Sequence, residues 1–134
     1  MNSNDDKNTR KIRAFTDLFV WQEGHKLVIL VYEQTKRFPK EELYSLTDQM
    51  KRAASSVTSN IAEGFGRQGF KEKIQFYYLA QGSLTELKNQ FLIAKDVGHL
   101  TDKEYDILFQ QANKTHQLLQ GLLTKTKYFL KASS

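Results

Sequence analysis

Cysteine is absent from the 134-residue chain, so disulfide scaffolds, thiolate metal sites and cysteine nucleophiles are excluded. Proline occurs once and glycine seven times. That is sparse punctuation for a protein of many short strands, and it suits long uninterrupted helices. Long apolar runs are also lacking. The longest, residues 27–32, falls far short of a membrane span. Residues 1–13 carry no apolar stretch of the kind a secretory leader needs, so the expectation is a cytoplasmic protein with no membrane partner. What remains is globular in character: 40% hydrophobic and 26% charged residues, in a length that fits one domain. A net charge of +5 and a pI near 9.4 permit an anionic partner without requiring one.

Residues 1–14 are polar, basic and without periodicity, and read as a flexible N-terminal tail; residues 15–134 divide into four helical segments. The first spans about Asp17 to Lys36, with Asp17 as cap or first-turn anion and Gly24 as an internal weakness. The second is expected to open at Pro39, with Glu41 and Glu42 near the positive end of its dipole. Its apolar face is Leu43, Leu46, Met50, Ala53, Val57 and Ile61, and Gly64 stands where a left-handed C-terminal residue belongs. The third begins near Gly69, repeats Tyr77, Ala80, Leu84, Leu87, Phe91 and Ala94 at steps of three and four, and ends at Gly98. Thr101-Asp102-Lys103-Glu104 has the form of a capping box for the fourth. Its seam is Tyr105, Leu108, Ala112, Thr115, Leu119, Leu122, Thr126 and Phe129. Four amphipathic helices with short connections predict an all-α, up-down-up-down antiparallel bundle. Residues 27–32 and 76–80 are apolar all round, which predicts a second burial surface and therefore self-association.

The residue types that carry chemistry form no recognisable constellation. Residues 64–69 match G-x-G-x-x-G literally, but the dinucleotide fingerprint needs a strand before the glycines. A helix precedes these, so they are expected to form a tight turn with positive φ. His25, His99 and His116 lack paired metal spacing. Ser55, Ser56, Ser59 and Ser83 read as small residues at helix contacts and not as nucleophiles. No catalytic, cofactor or metal residue is assigned, and the chain is read as a non-enzyme.

Charge placement is more informative. An up-down-up-down path brings the tail, the second turn and the C-terminus to one end. There Lys7, Arg10, Lys11, Arg13, Arg67, Lys71, Lys73, Lys125, Lys127 and Lys131 outnumber Asp5, Asp6, Asp17, Glu63 and Glu72. At the opposite end anions are in the majority. The lysines of the fourth helix also suit its dipole.

Phe38-Pro39, Leu46-Thr47-Asp48-Gln49, Arg52-Ala53, Asn60-Ile61-Ala62-Glu63-Gly64, Arg67 and Gly82-Ser83-Leu84-x-Glu86-Leu87 together resemble a bacterial four-helix-bundle family. Its best-known members are encoded in intervening sequences of large-subunit ribosomal RNA genes. The similarity covers roughly residues 17–130. The resemblance implies a homopentameric ring, and kinship with accessory proteins of diversity-generating retroelements, which bind nucleic acid and a reverse transcriptase. It brings no catalytic residues. The sequence departs from the family pattern at Thr58, where proline is common, at Gly69 in place of a serine or threonine cap, and at Gln81 in place of an arginine. The leading expectation is an oligomer that binds RNA or structured DNA through phosphates, with Arg67, Lys71 and Lys73 as the contact residues. The alternative is a scaffold that presents its surface to another protein.

Overall fold

Periodicity of three and four places one apolar stripe on each segment, and the stripes meet. The computed structural model describes residues 10–133. Its helices are α1 (Phe19–Thr35), α2 (Leu46–Gly66), α3 (Phe70–Asp96) and α4 (Asp102–Ser133), with 3-10 turns at Phe15–Asp17 and Lys40–Glu42. No strand occurs among the described residues. Each helix packs against its neighbours in sequence, and α4 returns to α1, closing a four-helix bundle. Leu27 and Val31, Met50, Val57 and Ile61, Leu84, Leu87 and Phe91, and Leu108 and Leu119 are its fully buried centre, each side chain contributing about 1.5–3 kcal/mol. The expected capping box is present at the start of α4: the Thr101 N–H donates to Glu104 Oε1 at 2.8 Å and the Glu104 N–H to Thr101 Oγ1 at 3.1 Å. Gly98, at φ +88°, ends the α3 excursion.

Four expectations are corrected. First, the second helix does not open at Pro39. Lys40–Glu42 is a separate 3-10 turn and α2 starts at Leu46. Glu42 is drawn to His99, whose Nε2 lies 2.8 Å from its Oε2, and it accepts from the Ser45 hydroxyl. This bends the chain at Ser45 and leaves Leu43 exposed. Second, none of the glycines in 64–69 has positive φ. Gly64 lies inside α2, where an added Cβ would meet Tyr77 Cε1 at 2.6 Å. Gly64 is needed for close approach of α3, and not for a turn. Third, the α4 seam passes through Leu123, with Leu122 half-buried and Phe129 exposed. Fourth, Asp17 caps the turn before α1. Its carboxylate accepts from the Arg13 and Ala14 N–H groups, which holds it below the usual range.

Of the expected tail, residues 1–9 lie outside the described residues. Arg10 is placed: its guanidinium sits 4.0 Å from the Phe19 ring centroid. Gly24, costly by helix propensity, also marks a close crossing, since its Cβ would stand 3.1 Å from Thr58 Cγ2. Two polar clusters join the helices. Ser56 and Ser83 share a 2.8 Å hydrogen bond between α2 and α3, with Asn60 donating to Ser56. On the α1–α4 seam, Glu23 pairs with Lys26 at 2.8 Å and Lys114 at 3.1 Å and accepts from Gln111. The Lys26 bond, with help from Gln111 and Lys114, pulls the Glu23 carboxyl down to about 2.

Candidate nucleic-acid interface

The candidate site is the end of the bundle where α2 finishes, α3 begins and α4 runs out. Helix α4 has 32 residues against 17 in α1, which makes it about 48 Å long against about 26 Å. Leu118, Leu122 and Lys125 share a groove with Arg10, Ile12, Leu18, Phe19 and Val20, so the segment before α1 runs alongside the last turns of α4.

The three expected contact residues fare differently. Lys71 is exposed on the first turn of α3. Arg67 is exposed too, but its guanidinium bonds Glu63 at 3.2 Å and lies 4.7 Å from the Phe76 ring centroid. Lys73 is committed to the fold: its ammonium donates to the Phe65 carbonyl at 2.7 Å and to the Gly64 carbonyl at 3.3 Å. These are carbonyls at the negative end of α2, which a cation satisfies. Burial lowers the Lys73 pKa. Arg67 and Lys71 thus share this end of the bundle, and Lys73 serves its construction.

Sequence reasoning counted Lys125, Lys127 and Lys131 as charges and passed over the rings among them. Lys127 Nζ lies 4.7 Å from the Tyr78 centroid and Lys125 Nζ 5.9 Å from that of Phe129. Phe129 stacks on Phe70 at 5.8 Å, and Tyr128 meets Phe129 edge-on at 5.9 Å. The signal was present in residues 125–129, Lys-Thr-Lys-Tyr-Phe. Charge counting places its lysines at the basic end and leaves its rings unassigned. No aspartate or glutamate follows Asp106 in the chain, so cations dominate this part of α4.

The other motif residues are dispersed. Asn60 and Ser83 belong to the α2–α3 polar seam described above. Arg52 pairs with Asp48 at 2.9 Å on the exposed side of α2, and Gln49 is exposed beside it. Gly82 and Glu86 lie on the exposed side of α3, and nothing stands within 4 Å of a Cβ added at Gly82.

The histidines are engaged separately. His25 stacks on Trp21, His99 bonds Glu42, and His116 lies 2.9 Å from the Lys88 ammonium. Since that ammonium can only donate, His116 Nδ1 accepts, and burial lowers the pKa of both groups. Among the described residues no group of three or more His, Asp or Glu side chains could hold a metal ion, and no helix is long and apolar enough to cross a membrane.

These features define the class: an all-α four-helix bundle whose most distinctive surface is a cationic end studded with rings. The sequence matches the 23S rRNA-intervening sequence protein family over residues 16–121, and the chain belongs to that family. The structure is similar to the crystal structure of a protein of unknown function from the S23 ribosomal protein family of Bacteroides thetaiotaomicron. The TM-score is 0.73 at 16% identity, over 78% of this chain and 95% of that one. This likeness supports the fold. No curated protein sequence matches the chain.

Proposed function

We propose that the protein is a non-enzymatic, cytoplasmic, self-associating bundle that binds nucleic acid through the cationic end. The observation that carries the binding is that Arg67 and Lys71, beside the α2–α3 turn with Glu63 and Glu72, share one end of the bundle with Lys125 and Lys127 of α4, a helix with no acid beyond Asp106. Phosphate backbones are the partner such a surface suits, RNA or structured DNA alike.

Self-association is supported by two apolar patches. One is Ile29 and Tyr32 on α1; the other is Leu79, Ile93 and Val97 on α3, all exposed. Helices α1 and α3 are diagonal in the bundle and make no packing contact, so their outer sides face opposite ways. Two unlike patches on different sides favour head-to-tail contacts, which form a ring where the rotation between successive copies closes. Five copies is the number the family resemblance implies. On α3, Gly82 between the apolar residues offers bare helix backbone to a neighbouring copy.

The test combines light scattering with salt-dependent binding. The expected mass in dilute solution is several times 15.6 kDa. Replacing Arg67, Lys71, Lys125 and Lys127 by glutamine should weaken RNA and DNA binding and flatten the salt slope by about 0.7–0.9 per lost phosphate contact. Negligible affinity of the native protein at low salt would refute the nucleic-acid reading and favour the protein scaffold.

A further inference from the structure

The rings at the end of α4 are not explained by phosphate binding. A duplex presents phosphates to lysines and hides its base faces, so it gives Tyr128 and Phe129 nothing to do. Neither ring is needed to close the core. Tyr128 is 68% exposed, Tyr78 is 44% exposed, and Phe129, in spite of its stack on Phe70, is 41% exposed. Three exposed rings grouped at one end of the bundle make an apolar surface that a partner would cover favourably. A second copy of the same end is a poor cover, because Lys125 and Lys127 of each copy would be brought together on helices that carry no acid after Asp106. The cover must therefore be anionic and must carry flat apolar faces of its own. Single-stranded nucleic acid has both properties, one phosphate and one open base face per nucleotide.

We infer that the end of α4 takes single-stranded nucleic acid, with unpaired bases stacking on Tyr128 and its neighbouring rings while Lys125 and Lys127 hold the phosphates. This rests on the nucleic-acid reading above and specifies its substrate class. The ammonium groups already lie over ring faces, Lys127 on Tyr78 and Lys125 on Phe129. Cation and ring therefore stand within one nucleotide's reach of each other. Sequence preference is absent from this mode, since every base has a face to stack.

The experiment uses the full chain and four probes: a short oligouridylate, its abasic analogue, an RNA duplex of equal length, and vesicles of phosphatidylserine. The native protein should bind the oligouridylate at least about five-fold more tightly than the abasic strand, the lower limit for one stacked base. The variant Tyr128→Leu with Phe129→Leu keeps apolar bulk and charge. It should lose that preference while duplex affinity and the salt slope stay unchanged. Circular dichroism and the mass in solution check that the variant is folded. Equal affinity for the oligouridylate and the abasic strand overturns the inference and leaves the phosphate reading standing. So does a preference that survives in the variant. Binding to the vesicles alone, with none to any of the three nucleic acids, overturns both.

Discussion

Replacing Gly64 by alanine should destabilise the bundle, although the same change at Gly121 should stabilise it. Alanine is favoured over glycine in a helix interior by about 1 kcal/mol. At Gly64 the new methyl group would lie 2.6 and 2.9 Å from the Tyr77 ring and 3.0 Å from Phe76 Cβ. The Tyr77 ring is buried and cannot swing into solvent, and a Cβ moves only with its backbone. Helix α3 must then shift away from α2, at the cost of about 1–3 kcal/mol that overpacking usually carries. The net expectation is a loss of up to about 2 kcal/mol. At Gly121, on α4, nothing lies within 4 Å of an added Cβ, so the propensity gain of about 1 kcal/mol should appear undiminished. The two variants should therefore differ by the packing cost alone, about 1–3 kcal/mol, or roughly 3–15 °C in Tm for a domain of this size. Urea unfolding followed by circular dichroism at matched protein concentrations measures both. Introducing Tyr77→Leu together with Gly64→Ala should remove most of the penalty, and the departure from additivity isolates the contact. If Gly64→Ala stabilises as much as Gly121→Ala, the close approach of α2 and α3 is wrong.

Three further outcomes are expected. Glu23 has its pKa lowered to about 2 from 4.5, so its stabilisation is complete above about pH 4.5 and is lost as pH falls toward 2; Glu23→Gln should flatten the acid limb of a stability–pH profile. Lys73→Gln, which removes the charge from the α2 carbonyls, should cost about 1 kcal/mol in urea unfolding, whereas Lys71→Gln on the exposed turn should be nearly neutral. Thr101→Ala, which deletes the hydroxyl of the capping box, should cost about 1 kcal/mol in the same assay.

The helices were legible because their information is local. Steps of three and four among Leu84, Leu87, Phe91 and Ala94 declare a face whatever that face meets, and Thr101 with Glu104 declares a helix start. Three of the misreadings have a partner on another element. Glu42 belongs to His99, 57 positions away, and so it left the helix that its neighbours suggested. Gly64 answers to Tyr77, and Lys73 to the carbonyls of the preceding helix. At the candidate site, Lys71 could be named from charge and topology. The rings of Tyr128 and Phe129 stand in plain sight in the run Lys125 to Phe129, but their exposure does not, because the seam's shift to Leu123 depends on what the other helices pack against.

The seam between α1 and α4 sets this bundle apart in time as well as in space. Every other helix pair is joined by a short connection, while Gln111 reaches Glu23 across 88 positions. Bringing those two segments together costs more chain entropy than closing any of the three sequential hairpins, so contacts between sequence neighbours are rewarded earlier and the α1–α4 seam is expected to close late. Gln111→Leu should then speed unfolding and leave the folding rate nearly unchanged in stopped-flow kinetics, making Glu23 and Gln111 a control on the lifetime of the folded subunit and not on the rate at which it first appears.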